Sequence, residues 1–578
     1  NFQAELDRRV GDVSQRFQSR LLDVAPADTV VYVALPNLTE VVTEAHGLLL
    51  EKVASNETLR AWWDENVLAT GTDAEIERAI GTIGRLGKAI GDEIVVTLQA
   101  GRDGDVHGLV VMAEANDPDS ARSEIDALIA QSAASGDTDL LRRVDAPAAY
   151  TGDGPVFWVH DGHVVFAADA GSLQRASLAL GAADGAALRG SAFHDRLRSA
   201  YRDGVGVLVG ADLHTMLRSA GGGATIDPSL QAIGLGNVRY LLVERSDLGE
   251  VNRTRATLSV DGEREGVLSW LAEPAPMGGL EFVSPDAMAV TSFVMRRPAT
   301  LIEDLLTRLG GDGDEVRAQL DEFRTETGVD LIADVAGALG GEFTMALDGP
   351  VLPKPAWKII IEAYDPAALQ KTLEWGFEQL NTMAAAEGEA GVRLTSAKHR
   401  GRTYWTIESE ATGLSAHYTF VDGYWLIASQ TAMIDRALQY RASGITLGTS
   451  RKFREALPED GHQNVSAVMY QDLGRILGSL LGGPVGDSLP EDQKQFLRSM
   501  VASQDGPTAF VAYGQRDGIQ VVGADRGSFL FGNRISQMFN VGTLLDLENA
   551  IPESDPPASD GAGRYDGGGS TLDSRSGA

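Results

Sequence analysis

The sequence predicts an α+β protein of two tandem homologous units, each a mainly antiparallel sheet with helices packed on one face. The first observation is a stretch that occurs twice, because Asp161-Gly162 and Asp422-Gly423 are each flanked by apolar residues typical of strands. Asp-Gly accepts the positive φ angles of a type I′ turn, so each stretch predicts a β-hairpin. The second observation is constant spacing: Asp422 lies 261 residues after Asp161, and Arg436 lies 261 residues after Arg175.

The order of the predicted elements also repeats. The first unit opens with a strand bounded by prolines, from Pro26 to Pro36, which is typical of an edge or first strand. Strands at Glu93 and Leu109, an Asp-Pro helix start and the Asp-Gly hairpin follow in turn. The same order returns from Pro285, with matching positions 248 to 261 residues apart. We therefore predict an internal duplication, and the lack of a βα rhythm favours antiparallel sheets over a doubly wound one.

The domain boundaries follow from this repeat and from composition. The tail is rich in Gly, Pro, Ser and Asp and is too polar to pack, so we expect it to be disordered. The predicted segments are an amphipathic N-terminal helix at 1–23, the first unit at 24–262, a linker at 263–283, the second unit at 284–527, a C-terminal helix at 528–550 and the acidic tail at 551–578.

Composition excludes several classes of partner and chemistry. The formal net charge is −33, from 49 basic and 82 acidic residues, and this disfavours nucleic-acid binding and electrostatic adsorption to anionic membranes. The lack of cysteine excludes disulfides, thiolate nucleophiles and cysteine-ligated metals. No apolar run approaches the ~20 residues that cross a bilayer. Because the sequence begins with Asn1 rather than Met, we expect an upstream segment that carries a targeting signal or membrane anchor.

Two features suggest chemistry at first sight. His160 and His163 flank the first Asp-Gly turn, but the second copy has Val421 and Tyr424 at those positions, so we interpret the two imidazoles as surface groups rather than as a metal site. The adjacent Trp62-Trp63 could form a binding platform, but neighbouring helical residues do not share a face, so we expect one ring in a core and the other at an interdomain contact.

Two aspartates are a further candidate, since Asp212 and Asp472 recur at equivalent positions before a leucine. A pair of carboxylates is conceivable there, but an Asp between a strand and a helix is typical of an N-cap. The chain contains no HExxH, Walker or GxSxG sequence. We therefore assign no catalytic, metal-binding or cofactor-binding residue and expect no cofactor.

A resemblance adds to this interpretation. The segment Pro26-Ala-Asp-Thr-Val-Val-Tyr-Val-Ala-Leu-Pro-Asn37, the later Trp62-Trp63 and the two-copy layout over roughly residues 24–527 resemble a bacterial extracytoplasmic family known as domain of unknown function 3352. The resemblance implies a location outside the cytoplasm, in the periplasm or on the cell surface. It implies no activity and no site residues.

We therefore expect a non-enzymatic binding or scaffolding protein of the bacterial cell envelope, with a protein or an apolar ligand as partner. One alternative is a carrier or chaperone for a lipid or other apolar ligand, held in an apolar pocket between sheet and helices. The other is a carboxylate-based hydrolase, which requires acidic side chains that converge in a cleft with raised pKa values.

Overall fold

The structure is a computed structural model that describes most of the chain as an α+β protein. It describes residues 15–525 except 69–71, 101–105, 135–140, 182–184, 222–224, 248–251, 352–353, 389, 410–412, 483–488 and 503–505. The strands are β1 Thr29–Pro36, β2 Ile90–Ala100, β3 Val106–Ala115, β4 Arg142–Val144, β5 Val156–His160, β6 His163–Ala167, β7 Val207–Asp212, β8 Val238–Asp247, β9 Asn252–Val260, β10 Ala289–Val294, β11 Leu339–Leu347, β12 Trp357–Ala363, β13 Val392–His399, β14 Arg402–Ser409, β15 Leu414–Val421, β16 Tyr424–Ala428, β17 Ala467–Gln471, β18 Thr508–Gln515 and β19 Gly518–Asp525.

Most helices connect one strand to the next along the chain. The helices are α1 Arg20–Asp23, α2 Thr39–Ser55, α3 Glu57–Trp63, α4 Thr72–Ala89, α5 Pro118–Ala134, α6 Ala170–Leu180, α7 Ala192–Asp203, α8 Leu213–Ala220, α9 Pro228–Ala232, α10 Pro298–Arg308, α11 Gly311–Thr327, α12 Pro366–Glu387, α13 Thr431–Ser443, α14 Arg451–Ala456, α15 Leu473–Leu481 and α16 Glu491–Ala502. Helix α12 shows why they form where they do. The Asp365 side chain caps its first backbone N–H groups, Pro366 takes the first helical position, and Gly388 ends it in the left-handed conformation.

The strands form one sheet in which both halves of the chain have the same order. The first half runs β5-β6-β3-β2-β1-β7-β8-β9 and the second runs β15-β16-β12-β11-β10-β17-β18-β19. Strand β9 pairs with β19, so the halves share a continuous ladder. All pairs are antiparallel except β4 with β5. The predicted α+β class with a mainly antiparallel sheet is confirmed, while the duplication stays a prediction.

The two Asp-Gly hairpins are present as predicted. Asp161 and Asp422 have φ angles of 48° and 49°, and the glycines that follow have φ angles of 78° and 83°. Each hairpin therefore has the two left-handed residues of a type I′ turn. A third two-residue turn, Arg400-Gly401, joins β13 to β14 with φ angles of 51° and 80°.

Helices pack on both faces of the sheet, whereas helices on one face were expected. The two larger hydrophobic cores, one in each half, lie on one face, and smaller cores lie on the other. On the first face, α6 and α7 cover the first half and α13 and α14 cover the second. On the opposite face, α4 and α5 cover the outer strands of the first half, and α12 covers those of the second half. Strand alternation separates the cores, because Val165 belongs to the first face and Val164 to the opposite one.

Of the two alternatives predicted for β1, an edge or a first strand, it is the first strand of the described chain but not an edge strand, because it pairs with both β2 and β7. Its prolines are tolerated since Pro26 precedes the strand and Pro36 ends it. The predicted linker at 263–283 contains two short 3₁₀ turns, and Phe282 is fully buried in the core of the second half. The predicted C-terminal helix and tail lie outside the described residues, as does most of the N-terminal helix.

Candidate ligand-binding face

The face of the sheet opposite the two larger cores carries an unbroken row of apolar side chains. The row crosses sixteen strands through directly paired residues, and all of them except Ala256 are half-buried. Its members, called the apolar row below, are Phe157, Phe166, Val111, Val96, Val33, Val209, Val243, Ala256, Val521, Ala512, Ala467, Phe293, Phe343, Ile361, Trp425 and Phe420. Directly paired side chains in an antiparallel sheet point to the same face.

Contacts between rings confirm that neighbours in the apolar row lie side by side. Phe157 and Phe166 have ring centroids 5.0 Å apart, and Phe293 and Phe343 stack at 5.5 Å. At the far end, Phe420 and Trp425 stack at 5.9 Å. The apolar row is therefore one contiguous surface and not a set of isolated side chains.

Helices cover the two ends of this row, and α8 lies against two of its central strands, β8 and β1. Phe157 packs against a small core that includes residues of α5, while Phe420 and Trp425 pack against a small core that includes Leu369 of α12. Between these ends, the central strands of the second half carry a group that we call the open patch, defined as Phe293, Phe343, Met345, Ile359 and Ile427. An apolar surface that no helix covers fully is suited to binding.

Met345 shows how accessible the open patch is. Its residue is 57% exposed although β11 is an interior strand of the sheet. It is paired with Ile359 on one side and with Thr291 on the other, and Ile359 is paired with Ile427. The patch contains no ionisable side chain, so it can bind an apolar surface without desolvating a charge.

Two short helices add apolar side chains that the cores do not take up. Helix α8 follows β7 and α15 follows β17, and each is amphipathic yet has no buried residue. Helix α8 lies against β8 and β1. The side-chain carboxylates of Asp212 and Asp472 cap these helices by accepting the backbone N–H of Thr215 and Arg475 at 3.0 Å each, as predicted from the sequence.

A buried carboxylate anchors the N-terminal segment to the first half. Glu93 pairs with the Nε of Arg16 at 3.1 Å, and both side chains are about nine-tenths buried. The hydroxyl of Tyr201 donates to the same carboxylate at 2.6 Å and lies 3.0 Å from the hydroxyl of Tyr32. Ser19 donates to the other carboxylate oxygen. Burial raises the pKa values of both tyrosines, so they stay protonated donors.

The corresponding residue of the second half, Glu342, anchors the segment before β10. It accepts hydrogen bonds from the backbone N–H groups of Gly278 and Gly279 and, at 2.8 Å, from the hydroxyl of Tyr424. A Cβ on Gly279 would lie 2.8 Å from the Glu342 carboxylate, so this approach requires glycine. Burial raises the pKa of Glu342, while these hydrogen bonds oppose the shift and the nearby Glu362 charge adds to it.

This raised pKa predicts a pH dependence of stability. The native state disfavours ionised Glu342 more than the unfolded state does. The contribution of protonated Glu342 to the free energy of unfolding is therefore fully present below the ordinary glutamate pKa and is lost as pH rises through the raised pKa. Glu342→Gln cannot ionise, so from pH 4.5 to 7.5 wild type should lose unfolding free energy relative to this variant in urea titrations. The exposed Glu455→Gln is the control, and a difference between wild type and Glu342→Gln that does not change with pH would contradict the assignment.

A carboxylate-based hydrolase is not favoured by these sites. Both oxygens of Glu342 and of Glu93 already accept hydrogen bonds from groups that hold the fold together. The buried Glu244 also has a raised pKa, caused by burial, and lies 3.3 Å from Arg255 on the neighbouring strand. General acid–base catalysis needs a carboxyl group that can reach a substrate.

The histidines predicted as surface groups lie at the first Asp-Gly turn. The ring of His160 stacks on Trp158 with centroids 5.0 Å apart, and His163 Nδ1 lies 3.0 Å from the Asp161 carbonyl oxygen. Within the described part of the chain, no three side chains of His, Asp or Glu converge as a metal-binding group would require. Likewise, no helix in that part is long and apolar enough to span a bilayer.

One of the two tryptophans lies in a core as expected, while the interdomain contact expected for the other stays a prediction. Trp63 is 8% exposed and packs with Val53 and Val67 in a small core, whereas Trp62 is 54% exposed. A groove of about 600 Å³ lies between α12 and β13, but it is open and its lining includes Glu374 and Glu378. It therefore does not match the apolar pocket that a carrier was expected to have, and the apolar surface lies on the sheet face instead.

The apolar row was missed at the sequence level, although a signal for it exists. Strands such as Val30–Ala34 and Ile359–Ile361 are apolar at successive positions, which places apolar side chains on both faces of the sheet. A sheet with a single covered face has alternating apolar and polar residues. The continuous runs therefore indicate that the second face also meets apolar groups.

The fold and this face together define a class: an α+β protein with a continuous antiparallel sheet that presents an apolar surface. Residues 313–502 match the family described as "Protein of unknown function (DUF3352)", which confirms the resemblance found in the sequence. No curated protein matches the chain.

Two solved structures of TP0453 are similar to part of the chain. Its crystal form III is 13% identical, covers 46% of this chain and 86% of that chain, and has a TM-score of 0.22. Its crystal form I is 14% identical, covers 43% and 94%, and has a TM-score of 0.19. Likeness at this level carries no argument about function.

Proposed function

We propose that the protein is a non-enzymatic binding protein of the bacterial cell envelope that holds an apolar ligand on the open face of its sheet. The observation that carries this proposal is the open patch within the apolar row. Covering apolar surface contributes roughly 25 cal/mol per Å² removed from water, so a long apolar ligand gains from each strand that it crosses. This favours the alternative of a carrier over a purely structural scaffold.

The ligand class follows from the shape and polarity of the face. Directly paired residues on adjacent strands are spaced about 5 Å apart, so the apolar row is a long track rather than a compact cavity. The open patch offers no ionisable partner for a headgroup, and the chain charge of −33 disfavours anionic ligands. An acyl chain on a neutral molecule matches this surface.

The first test is binding of N-phenyl-1-naphthylamine, an uncharged apolar dye that fluoresces when it leaves water. Wild type is expected to bind it saturably, and Met345→Glu should weaken binding about tenfold or more because a charge would be buried under the ligand. Met345 is exposed, so this variant should keep its thermal stability. The measurement is a fluorescence titration at neutral pH.

Ile445→Glu is the matched control, because Ile445 is 63% exposed and follows α13, which packs on the first face. This variant should bind the dye like wild type. Equal losses in both variants, or a wild type that binds no dye, would reject the open patch as the ligand site.

The extracytoplasmic location is a separate part of the proposal. It is supported by the match to the family described as "Protein of unknown function (DUF3352)", since the resemblance to that family implies a location outside the cytoplasm. Protease is added to cells whose outer layers have been made permeable while the cytoplasmic membrane stays closed. It should digest the protein and leave a cytoplasmic marker undigested. Protection of the protein alongside that marker would contradict the location and would leave the dye-binding result unaffected.

A further inference from the structure

The hairpin of β13 and β14 carries a cluster of positive charge on an acidic protein. Its turn and flanking residues read Lys398-His-Arg-Gly-Arg402, and all five residues are exposed. We call this segment the basic tip. The basic tip has three permanent positive charges within five residues, in a chain with 49 basic and 82 acidic residues.

Lys398, Arg400 and Arg402 form no close ion pair inside the described part of the molecule, although Arg402 and Arg400 act electrostatically on Tyr404. No carboxylate there lies within 4.0 Å of Lys398, Arg400 or Arg402, and the tip's nearest ion-pair contact is His399 Nε2 with Asp435 at 3.8 Å. That carboxylate already accepts a hydrogen bond from the Tyr404 hydroxyl at 2.8 Å. The basic tip is therefore available to an external anion.

The conformation of Arg400 is a second, independent observation. Arg400 has a φ angle of 51° in a two-residue turn, whereas the equivalent position in the two Asp-Gly turns is Asp. Asn and Asp tolerate this left-handed conformation because their short polar side chains bond locally, and Arg lacks that advantage. The fold does not favour arginine here, so a role for its charge explains its presence.

The position of the hairpin places the basic tip at the border of the sheet. Strand β14 pairs with β15 only from Trp405 onward, so the turn lies beyond the shared ladder, and β13 is the last strand on that side among the described residues. In the first half, the described residues between α5 and β5 form only the three-residue β4 and a short 3₁₀ turn. The basic tip therefore belongs to the second half alone.

We propose that the basic tip docks the protein on anionic phospholipid headgroups. A cluster of this size can contact a plane of negative charge at one point. Repulsion between that plane and acidic surface of the protein more than about 8 Å away is screened at physiological salt. A long nucleic acid would instead need an extended track of positive charge. The choice of a membrane rests on the proposed function, because a bilayer is the source of acyl chains.

The test is co-sedimentation with phosphatidylcholine vesicles that contain or lack phosphatidylglycerol. Wild type should prefer the anionic vesicles, and this preference should weaken with salt. A variant with Lys398→Gln, Arg400→Asn and Arg402→Gln should bind the anionic vesicles about a hundredfold more weakly. Each basic residue near such a surface raises the affinity roughly fivefold, and the variant lacks three of them. Asn suits the turn, so this variant should fold.

The matched control removes three exposed positive charges from α7, with Arg196→Gln, Arg198→Gln and Arg202→Gln. It should bind anionic vesicles like wild type, and the tip variant should still bind the apolar dye, which separates this proposal from the ligand site. Equal binding of wild type to both vesicle types, or binding to a DNA duplex that only the tip variant loses, would overturn the membrane assignment.

Discussion

Replacing Lys358 by alanine is expected to lower the free energy of unfolding by about 3–5 kcal/mol, measured by urea denaturation at neutral pH. Lys358 Nζ lies 2.6 Å from the carboxylate of Asp348, and the two side chains are 2% and 6% exposed. Nζ also donates to the carbonyl oxygen of Phe282 at 2.9 Å and lies over the ring of Tyr440. The variant would leave a carboxylate buried without its cation.

The size of this effect depends on the unpaired charge and not on the pair as such. Burial lowers the pKa of Lys358, and the Asp348 carboxylate opposes that shift. A double variant, Lys358→Met with Asp348→Leu, removes both charges and should recover at least half of the lost stability. The exposed pair of Arg451 and Glu455 is the control, because Arg451→Ala should change stability little. A Lys358→Ala protein within about 1 kcal/mol of wild type would contradict this account.

The two halves have different residues at matching core positions. The repeat therefore could not predict the ion pair of Lys358 and Asp348. Lys358 of β12 corresponds in the predicted repeat to Val110 of β3, which is fully buried in the core of the first half. Constant spacing identifies the residues that the two halves share. It gives no information about a residue that occurs in one half only. The single lysine among the apolar residues of Trp357–Ala363 was the available signal.

Local features of the fold were predictable because they depend on a few adjacent residues. The Asp-Gly turns and the caps at Asp212 and Asp472 follow from the geometry of the side chain and its own backbone. The interior position of β1 was not, because β7 joins it from more than 170 residues away. The total charge of −33 likewise does not show how charge is distributed, so it gives no sign of the basic tip.

The candidate site was not predictable from motifs because it contains none. The apolar row consists of common residues whose proximity depends on fifteen strand pairings, including the one between β9 and β19 that joins the halves. The histidines and tryptophans that attracted notice in the sequence lie outside the open patch. A surface of this kind is a property of register, and register is fixed by tertiary contacts.

Replacing Glu93 by alanine is expected to lower the free energy of unfolding by about 3–5 kcal/mol, because Arg16 would remain in place without its counter-charge. Arg16 is also held by the carbonyl oxygen of Gly206 at 2.7 Å, so its guanidinium cannot easily turn to solvent. Urea denaturation at neutral pH measures the loss. Trypsin should cleave the variant sooner after Arg16 or Arg20, since the same carboxylate docks this segment.

Two comparisons show whether the ion pair or the hydrogen bonds of Glu93 carry this stability. Tyr201→Phe removes one neutral donor and should cost only about 1 kcal/mol. Glu342→Ala removes the equivalent carboxylate of the second half, whose partners are two backbone N–H groups and the Tyr424 hydroxyl rather than a cation. It should therefore cost less than Glu93→Ala. Equal losses at the two glutamates would mean that Arg16 adds nothing, and that each half is anchored by its hydrogen bonds alone.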